Sequence, residues 1–258
     1  MKIFETGGEY SIGMPLRHLI QRVTHRSYMP PRIESEYYLG EGLESFHNQE
    51  DLLSAQFQSA YQAAVLAIGN DYRVPQRMRL LAWAGTYACQ INPGLGFVEL
   101  GTGKGFSMFF LLSYLKREGL MPDCWLFDTF DHDLSDEAKE RGGVSAGKTF
   151  YADSVEKVQS RFSIFETCSV VVGQLPDSLE SVEMPKVGFV HVDLNDGSAE
   201  VMALRRLWAR IASGSPIVLD DFANRGRSFQ KVVTSAFFDE FNIPVLHTPQ
   251  GQGLVIKP

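Results

Sequence analysis

Residues 97–106 read FVELGTGKGF. An apolar run carries an acid, Glu99, and then Gly101, Gly103 and Gly105 alternate before a new apolar segment opens. Glycine at such positions lets the backbone take positive φ and lets a ligand approach where a Cβ would block it. The stretch therefore reads as a strand, a glycine turn and the start of a helix. A dinucleotide-binding GxGxxG counted from Gly101 and Gly103 would need a third glycine at 106, where the chain has Phe106. A tight strand–helix turn that holds no ligand is the plainer alternative.

Outward from this loop the chain alternates. Short apolar runs stand at 96–100 (GFVEL), 124–128 (CWLFD), 169–173 (SVVVG), 187–193 (VGFVHVD) and 215–221 (SPIVLDD). Helical patterns separate them at 107–118, 154–165, 198–212 and 228–241. Strands that are apolar on both faces and alternate with helices predict a parallel sheet covered on both sides. The end breaks the rhythm, because 243–248 (IPVLHT) and 253–258 (GLVIKP) flank Pro249-Gln250-Gly251-Gln252 with no helix between. The expectation is an α/β, Rossmann-like sheet of about five parallel strands closed by an antiparallel hairpin. Upstream, helical patterns cover 51–68 and 74–90, the second stopped by Asn92-Pro93-Gly94.

In an open parallel sheet, ligands sit at the carboxyl ends of the strands, and here those ends are acidic. CWLFD ends at Asp128, placed to pair with a ribose diol, although capping of the following turn is the simpler role. Gly173 and Gln174 follow the third strand at the same edge and are candidates to meet an adenine. The fourth strand delivers His191 and Asp193, and the fifth delivers Asp220 and Asp221. Three carboxylates in one cleft repel one another unless a cation or protons neutralise them. All-oxygen ligands of high charge favour a hard divalent ion, most simply Mg2+, at Asp193, Asp220 and Asp221. Asp193 is the candidate base, with His191 on the same strand face as a base, its neighbour, or a satisfied core histidine.

The E-x-G-x-G-x-G strand end resembles motif I of class I S-adenosylmethionine (SAM) methyltransferases. The order ELGTGKG, FDTF, HVDLND and LDDF further resembles the macrocin O-methyltransferase family, over roughly residues 75–258. That resemblance implies SAM bound by Glu99, Gly101, Thr102, Gly103, Gly105 and Asp128, and Mg2+ at Asp193, Asp220 and Asp221. It implies methyl transfer to a hydroxyl of a small sugar or natural-product acceptor. Metal bound to vicinal oxygens would lower the pKa of the attacking hydroxyl and align it. The chain departs from the family's H-x-D-x-D-x-Y at Asn195 and Gly197, and from its DDY at Phe222. A nucleotide-dependent enzyme on a related fold and a non-catalytic scaffold remain as other readings.

Composition narrows the field. The 258 residues carry 24 Lys and Arg against 31 Asp and Glu, a net charge of -7, which argues against a nucleic-acid partner. No apolar run approaches the roughly 20 residues that cross a bilayer. The three scattered cysteines, without ligand spacing, suggest reduced thiols and a cytoplasmic protein. Residues 1–50 lack a core pattern and read as an arm or lid, with Tyr28, Tyr37, Tyr38 and His47, ahead of a catalytic domain at 51–258. Such an arm suggests a homodimer in which it covers the acceptor side. Residues 131–151, with Arg141, Gly142, Gly143 and Gly147, read as a flap over the site.

Overall fold

A computed structural model describes residues 38–45, 47–130, 153–224 and 228–258. Most of the expected arm, including Tyr28 and Tyr37, and the whole of the expected flap lie outside the described residues. The chain divides into two units, Met1–Tyr38 with Ser45–Gln49, and Leu39–Glu44 with Glu50–Pro258. In the described part of the first, Ser45 Oγ accepts from His47 N at 3.2 Å, and Gln49 Nε2 donates to His47 O at 3.0 Å. The second unit carries the sheet and the candidate site.

Along the described residues, the elements from Gly96 onward follow the expected alternation. After a short hairpin, β1 (Tyr38–Gly40) and β2 (Leu43–Ser45), come helices α1 (Glu50–Leu53), α2 (Ala55–Ile68) and α3 (Pro75–Ile91). Then follow β3 (Gly96–Leu100), α4 (Phe106–Lys116), β4 (Cys124–Asp128), α5 (Val155–Phe162), β5 (Cys168–Val172) and β6 (Val187–Val192). The chain closes with α6 (Gly197–Leu207), β7 (Pro216–Leu219), α7 (Ser228–Asp239), β8 (Leu246–His247) and β9 (Gly253–Ile256). The single helix expected at 51–68 is two, because Ser54 Oγ accepts from Phe57 N at 3.2 Å and so starts α2 afresh. Gly69, at φ 73, ends that helix with its N–H on Val65 O.

The main sheet has seven strands in the order β5-β4-β3-β6-β7-β9-β8. β5, β4, β3, β6 and β7 are parallel, and β9 runs antiparallel to both β7 and β8. The chain moves outward from β3 through β4 to β5 and then returns to β6 on the other side of β3. This reversal opens a crevice at the carboxyl ends of β3 and β6, where such sheets bind ligands.

Two apolar layers hold the sheet. Phe97, Leu126, Phe189 and Val218 face α2, α3, α4 and α5. Val98, Leu100, Val190 and Val192, one residue out of phase, face α6 and α7. Phe97 and Phe189 meet at 4.9 Å between ring centroids. Burying such a side chain contributes about 1.5–3 kcal/mol. By the same alternation Glu99 and His191 sit above Phe97 and Phe189, and their register pairs them across the two strands. The core thus carries a carboxylate and an imidazole side by side on its α3 face. Among the described residues, no helix is long and apolar enough to cross a membrane.

Candidate active site

Backbone hydrogen bonds continue past the strand ends and align the loops. Gly101 N donates to Phe127 O, Asp193 N to Leu100 O and Asp220 N to Val192 O, each at 2.8 Å. Gly101 sits at φ 89, and a Cβ built on it would lie 2.2 Å from the carbonyl oxygen of Asp193. Only glycine lets the first loop pass so close to the Asp193 turn. Gly105 N closes the loop on Thr102 O at 2.7 Å and opens α4.

Asp128, at the tip of β4, ties the loop down. Its Oδ2 accepts from Gly103 N at 2.7 Å and its Oδ1 from Phe130 N at 2.8 Å. A carboxylate has about four acceptor positions, so each oxygen keeps one for another donor. Gly173 N bonds the Asp128 carbonyl at 3.0 Å, which places the next loop beside it, with Gln174 exposed. The residues expected around a cofactor therefore share one edge.

Deeper in the crevice runs a row of charged groups. His191, wholly buried, has Nδ1 3.0 Å from Glu99 Oε1. Its Nε2 lies 3.7 Å from Asp220 Oδ1, an ion-pair distance that is too long for a hydrogen bond. Burial works against a charged ring, but the facing carboxylates of Asp220 and Glu99 outweigh it and push the His191 pKa up to about 10. Burial also pushes Glu99 up, and His191 pulls the other way. The proton belongs on the imidazole, because two carboxylates flank the ring while one ring flanks Glu99. Thr102 lies beside Glu99 and favours its charged form, yet neither Thr102 Oγ1 nor Glu99 Oε2 completes a hydrogen bond among the described residues.

Asp220 is held from the far side by Arg77 of α3. Arg77 Nη1 lies 2.5 Å from Asp220 Oδ2, 2.9 Å from Asp220 O and 3.7 Å from Asp221 Oδ1. Its other terminal nitrogen donates to Gln250 O at 3.3 Å. Gln252 Nε2 takes Asp220 Oδ1 at 2.8 Å. Burial opposes ionisation of Asp220, but Arg77, His191 and Gln252 together hold it below the usual carboxylate range. Asp193 has less help. Burial and the nearby charge of Asp220 push its pKa up to about 7, against the pull of His191 and Arg77.

His191, expected as a base or its neighbour, is enclosed between two acids and has no exposed surface for an acceptor. Asp193 is part-exposed, and its backbone carbonyl lies against Gly101 of the glycine loop. Asp196 caps α6 through Ser198 N at 2.9 Å and Ala199 N at 3.3 Å. Gly197 is explained by packing, since a Cβ there would lie 2.8 Å from Gln230 Cα of α7.

Arg77, Gln252 and Glu41 escaped the sequence reading. Glu41 caps α3 from outside, with Oε2 on Gln76 N at 2.8 Å and Oε1 on Arg77 N at 3.0 Å. One signal was present. Arg77 and Arg79 in the first turns of a helix oppose its dipole, which calls for acids nearby. Arg79 does pair with Asp51. Beyond Gln250, a cavity of about 560 Å3 is lined by Gln76, Arg79, Trp83, Thr86 and Tyr114, and by none of the strand-end acids.

The residues present are compatible with SAM. Glu99 Oε2 and Thr102 Oγ1 are buried with no hydrogen-bond partner among the described residues, and each oxygen of Asp128 keeps a lone pair that a diol could use. They do not fit Mg2+ as arranged. Asp220 is paired with a guanidinium, whose charge opposes a second cation at the same carboxylate. Among the described residues, no group of three or more His, Cys, Asp or Glu is placed to hold a metal ion.

Comparison with known proteins agrees with this geometry. No curated protein sequence matches the chain. Among solved structures, the O-methyltransferase NovP superposes with a TM-score of 0.62 at 13% identity, over 95% of this chain and 98% of that one. CalS11, a calicheamicin methyltransferase, gives 0.53 at 14% identity, over 79% and 93%. Cofactor-bound Rv0187 from MTB gives 0.50 at 16%, over 79% and 89%. These identities establish a shared fold, and the narrower macrocin family is not singled out. Residues 98–222 match the family model described as a methyltransferase domain, so the crevice between β3 and β6 lies within a methyltransferase-like region on a Rossmann-like methyltransferase fold.

Proposed function

We propose that the protein is a SAM-dependent O-methyltransferase acting on a hydroxyl of a small molecule of sugar or natural-product type. The observation that carries this reading is the contact between the glycine loop and the Asp193 turn, 2.2 Å from a Cβ that Gly101 lacks. It sets a part-exposed acid with a pKa near 7 beside the loop that would hold the cofactor. The methyltransferase-domain match and the likeness to NovP and CalS11 support the same class.

In this reading Glu99, Gly101, Thr102, Gly103 and Gly105 hold the amino-acid end of SAM, and Asp128 holds its ribose. Gly173 and Gln174 border its adenine. SAM, when bound, supplies a sulfonium methyl whose carbon–sulfur bond breaks, the electron pair going to sulfur, as the acceptor oxygen bonds to carbon. Asp193 takes the hydroxyl proton, a role for which a pKa near the working pH is suited. His191 keeps Glu99 and Asp220 fixed and reaches no acceptor. A metal-assisted form of this chemistry would require Arg77 to leave Asp220.

Thermal unfolding with SAM, S-adenosylhomocysteine (SAH), NAD and NADP tests the cofactor, because a ligand of the native state raises the Tm by mass action. SAM and SAH should raise it and the nicotinamide cofactors should not. Stabilisation by NAD or NADP alone would turn the assignment to a nucleotide-dependent enzyme. Transfer of a labelled methyl from SAM to a panel of hydroxylated sugars and phenols then tests the reaction, and SAM binding with no turnover on the panel favours the scaffold.

A further inference from the structure

Arg77 is fixed at both ends. Its backbone N–H is bonded to Glu41 Oε1 at 3.0 Å, and its guanidinium reaches Asp220 Oδ2, Asp220 O and Gln250 O, with Asp221 Oδ1 at 3.7 Å. The side chain is 17% exposed, and those of Asp220 and Asp221 are 12% and 10% exposed. This is a buried cation with four oxygen partners, contributed by a helix 143 residues away in sequence from the acids it serves.

We propose that Arg77 is the resident cation of the strand-end acids, a positioning residue that fixes Asp220 and Asp221 and makes a divalent ion unnecessary there. The inference rests on the methyltransferase reading for its bearing on turnover, and its test does not depend on turnover. Mg2+ asks for near-octahedral oxygen ligands at about 2.0–2.1 Å and binds through carboxylates with free lone pairs. Asp220 already accepts from Gln252 on one oxygen and from the Arg77 guanidinium on the other. Asn195, two residues after Asp193, brings no further negative charge. A guanidinium is always charged, and here the single nitrogen Nη1 meets both carboxylates. It repels a second cation brought to the same oxygens. The geometry is therefore that of a site whose cation is covalently part of the chain.

The probe is Mn2+, followed by the paramagnetic resonance of the free ion, with the full chain and saturating SAH. Wild type should leave Mn2+ free at concentrations up to about 1 mM, weaker than a dedicated carboxylate site. Arg77→Ala should bind Mn2+ at least about tenfold more tightly, because one repelling charge has left and the carboxylates are uncovered. Arg77→Lys should leave Mn2+ free as wild type does, because the positive charge beside the acids is kept. SAH affinity, unchanged within about twofold, reports that each variant is folded. The proposal is overturned if wild type binds one Mn2+ tightly and Asp221→Asn abolishes it. It is equally overturned if Arg77→Ala binds SAH yet gains no Mn2+ affinity. Should Arg77→Ala not fold, Arg77→Met, which keeps the stem, replaces it under the same criteria. Failure of wild type to bind SAH would sink the methyltransferase reading and leave the Mn2+ comparison, run without SAH, to decide the role of Arg77.

Discussion

Replacing Asp128 by alanine removes the acceptor of two loop amides at once, Gly103 N at 2.7 Å and Phe130 N at 2.8 Å. Hydrogen bonds to a charged group are worth about 1.5–3 kcal/mol each. Asp128 is half-buried, so water replaces part of what the two amides lose, and the net cost in stability should be about 2–4 kcal/mol. In the proposed complex the ribose hydroxyls would lose the same carboxylate. Removal of even one such bond weakens SAM by at least about tenfold, since 1.4 kcal/mol is a factor of ten. Asp128→Asn separates the two effects. It keeps one carbonyl oxygen and the size of the side chain, so the loop should survive better than in Asp128→Ala while the charge-assisted diol contact is lost. Titration calorimetry with SAH on wild type and both variants gives the affinities, and urea unfolding gives the stabilities. A folded Asp128→Ala with SAH affinity within about twofold of wild type would refute the placement of the ribose.

Asp193→Asn should lower kcat by about 10²–10⁴ and leave SAH affinity unchanged, because proton acceptance is lost while the loop stays in place. In wild type, activity should rise through an apparent pKa near 7, the protonated acid below it being unable to accept a proton. A profile flat across that pH would contradict Asp193 as the base. His191, raised from 6.5 to about 10, contributes stability that is fully present below pH 6.5 and lost between 6.5 and 10. The urea midpoint should therefore fall as pH rises through that window, and fall less in His191→Gln. An equal fall in both proteins would locate the effect elsewhere. Gly197→Ala should destabilise by about 1–3 kcal/mol, because the new methyl meets Gln230 Cα at 2.8 Å across the α6–α7 contact. An unchanged Tm would mean that the two helices part freely.

The strands were legible because their composition is nearly pure. GFVEL and CWLFD coincide with β3 and β4, buried from both sides as an apolar run requires. The positions of the strand-end acids were legible for a related reason, since each closes an apolar run and so lies at the carboxyl edge of the sheet. Pairing was not legible. That Glu99 faces His191 depends on the register of β3 against β6, which local pattern does not encode. Arg77 and Gln252 reach Asp220 from 143 and 32 residues away. Each sits in a segment whose local reading, helix start or hairpin turn, was already satisfied. The break at Ser54 was hidden because the apolar spacing runs through it, and only the cap shows where one helix stops and the next begins.

The carboxylate of Glu41 on the first amides of α3 bears on where this protein can be cut. Val74 and Pro75 provide no side-chain cap of their own, so the helix borrows one from a residue more than 30 positions upstream. A chain trimmed at residue 50, the apparent edge of the patterned sequence, discards that cap and bares the end of the helix that carries Arg77. Losing a helix cap costs about 0.5–2 kcal/mol, and the loss falls on the turn that aims the guanidinium. A shortened protein beginning ahead of Leu39 should keep its acid cluster in order, whereas one beginning after Glu44 should present Asp220 to a looser partner. The structural boundary of the unit that holds the acid cluster lies upstream of the boundary that its hydrophobic pattern advertises.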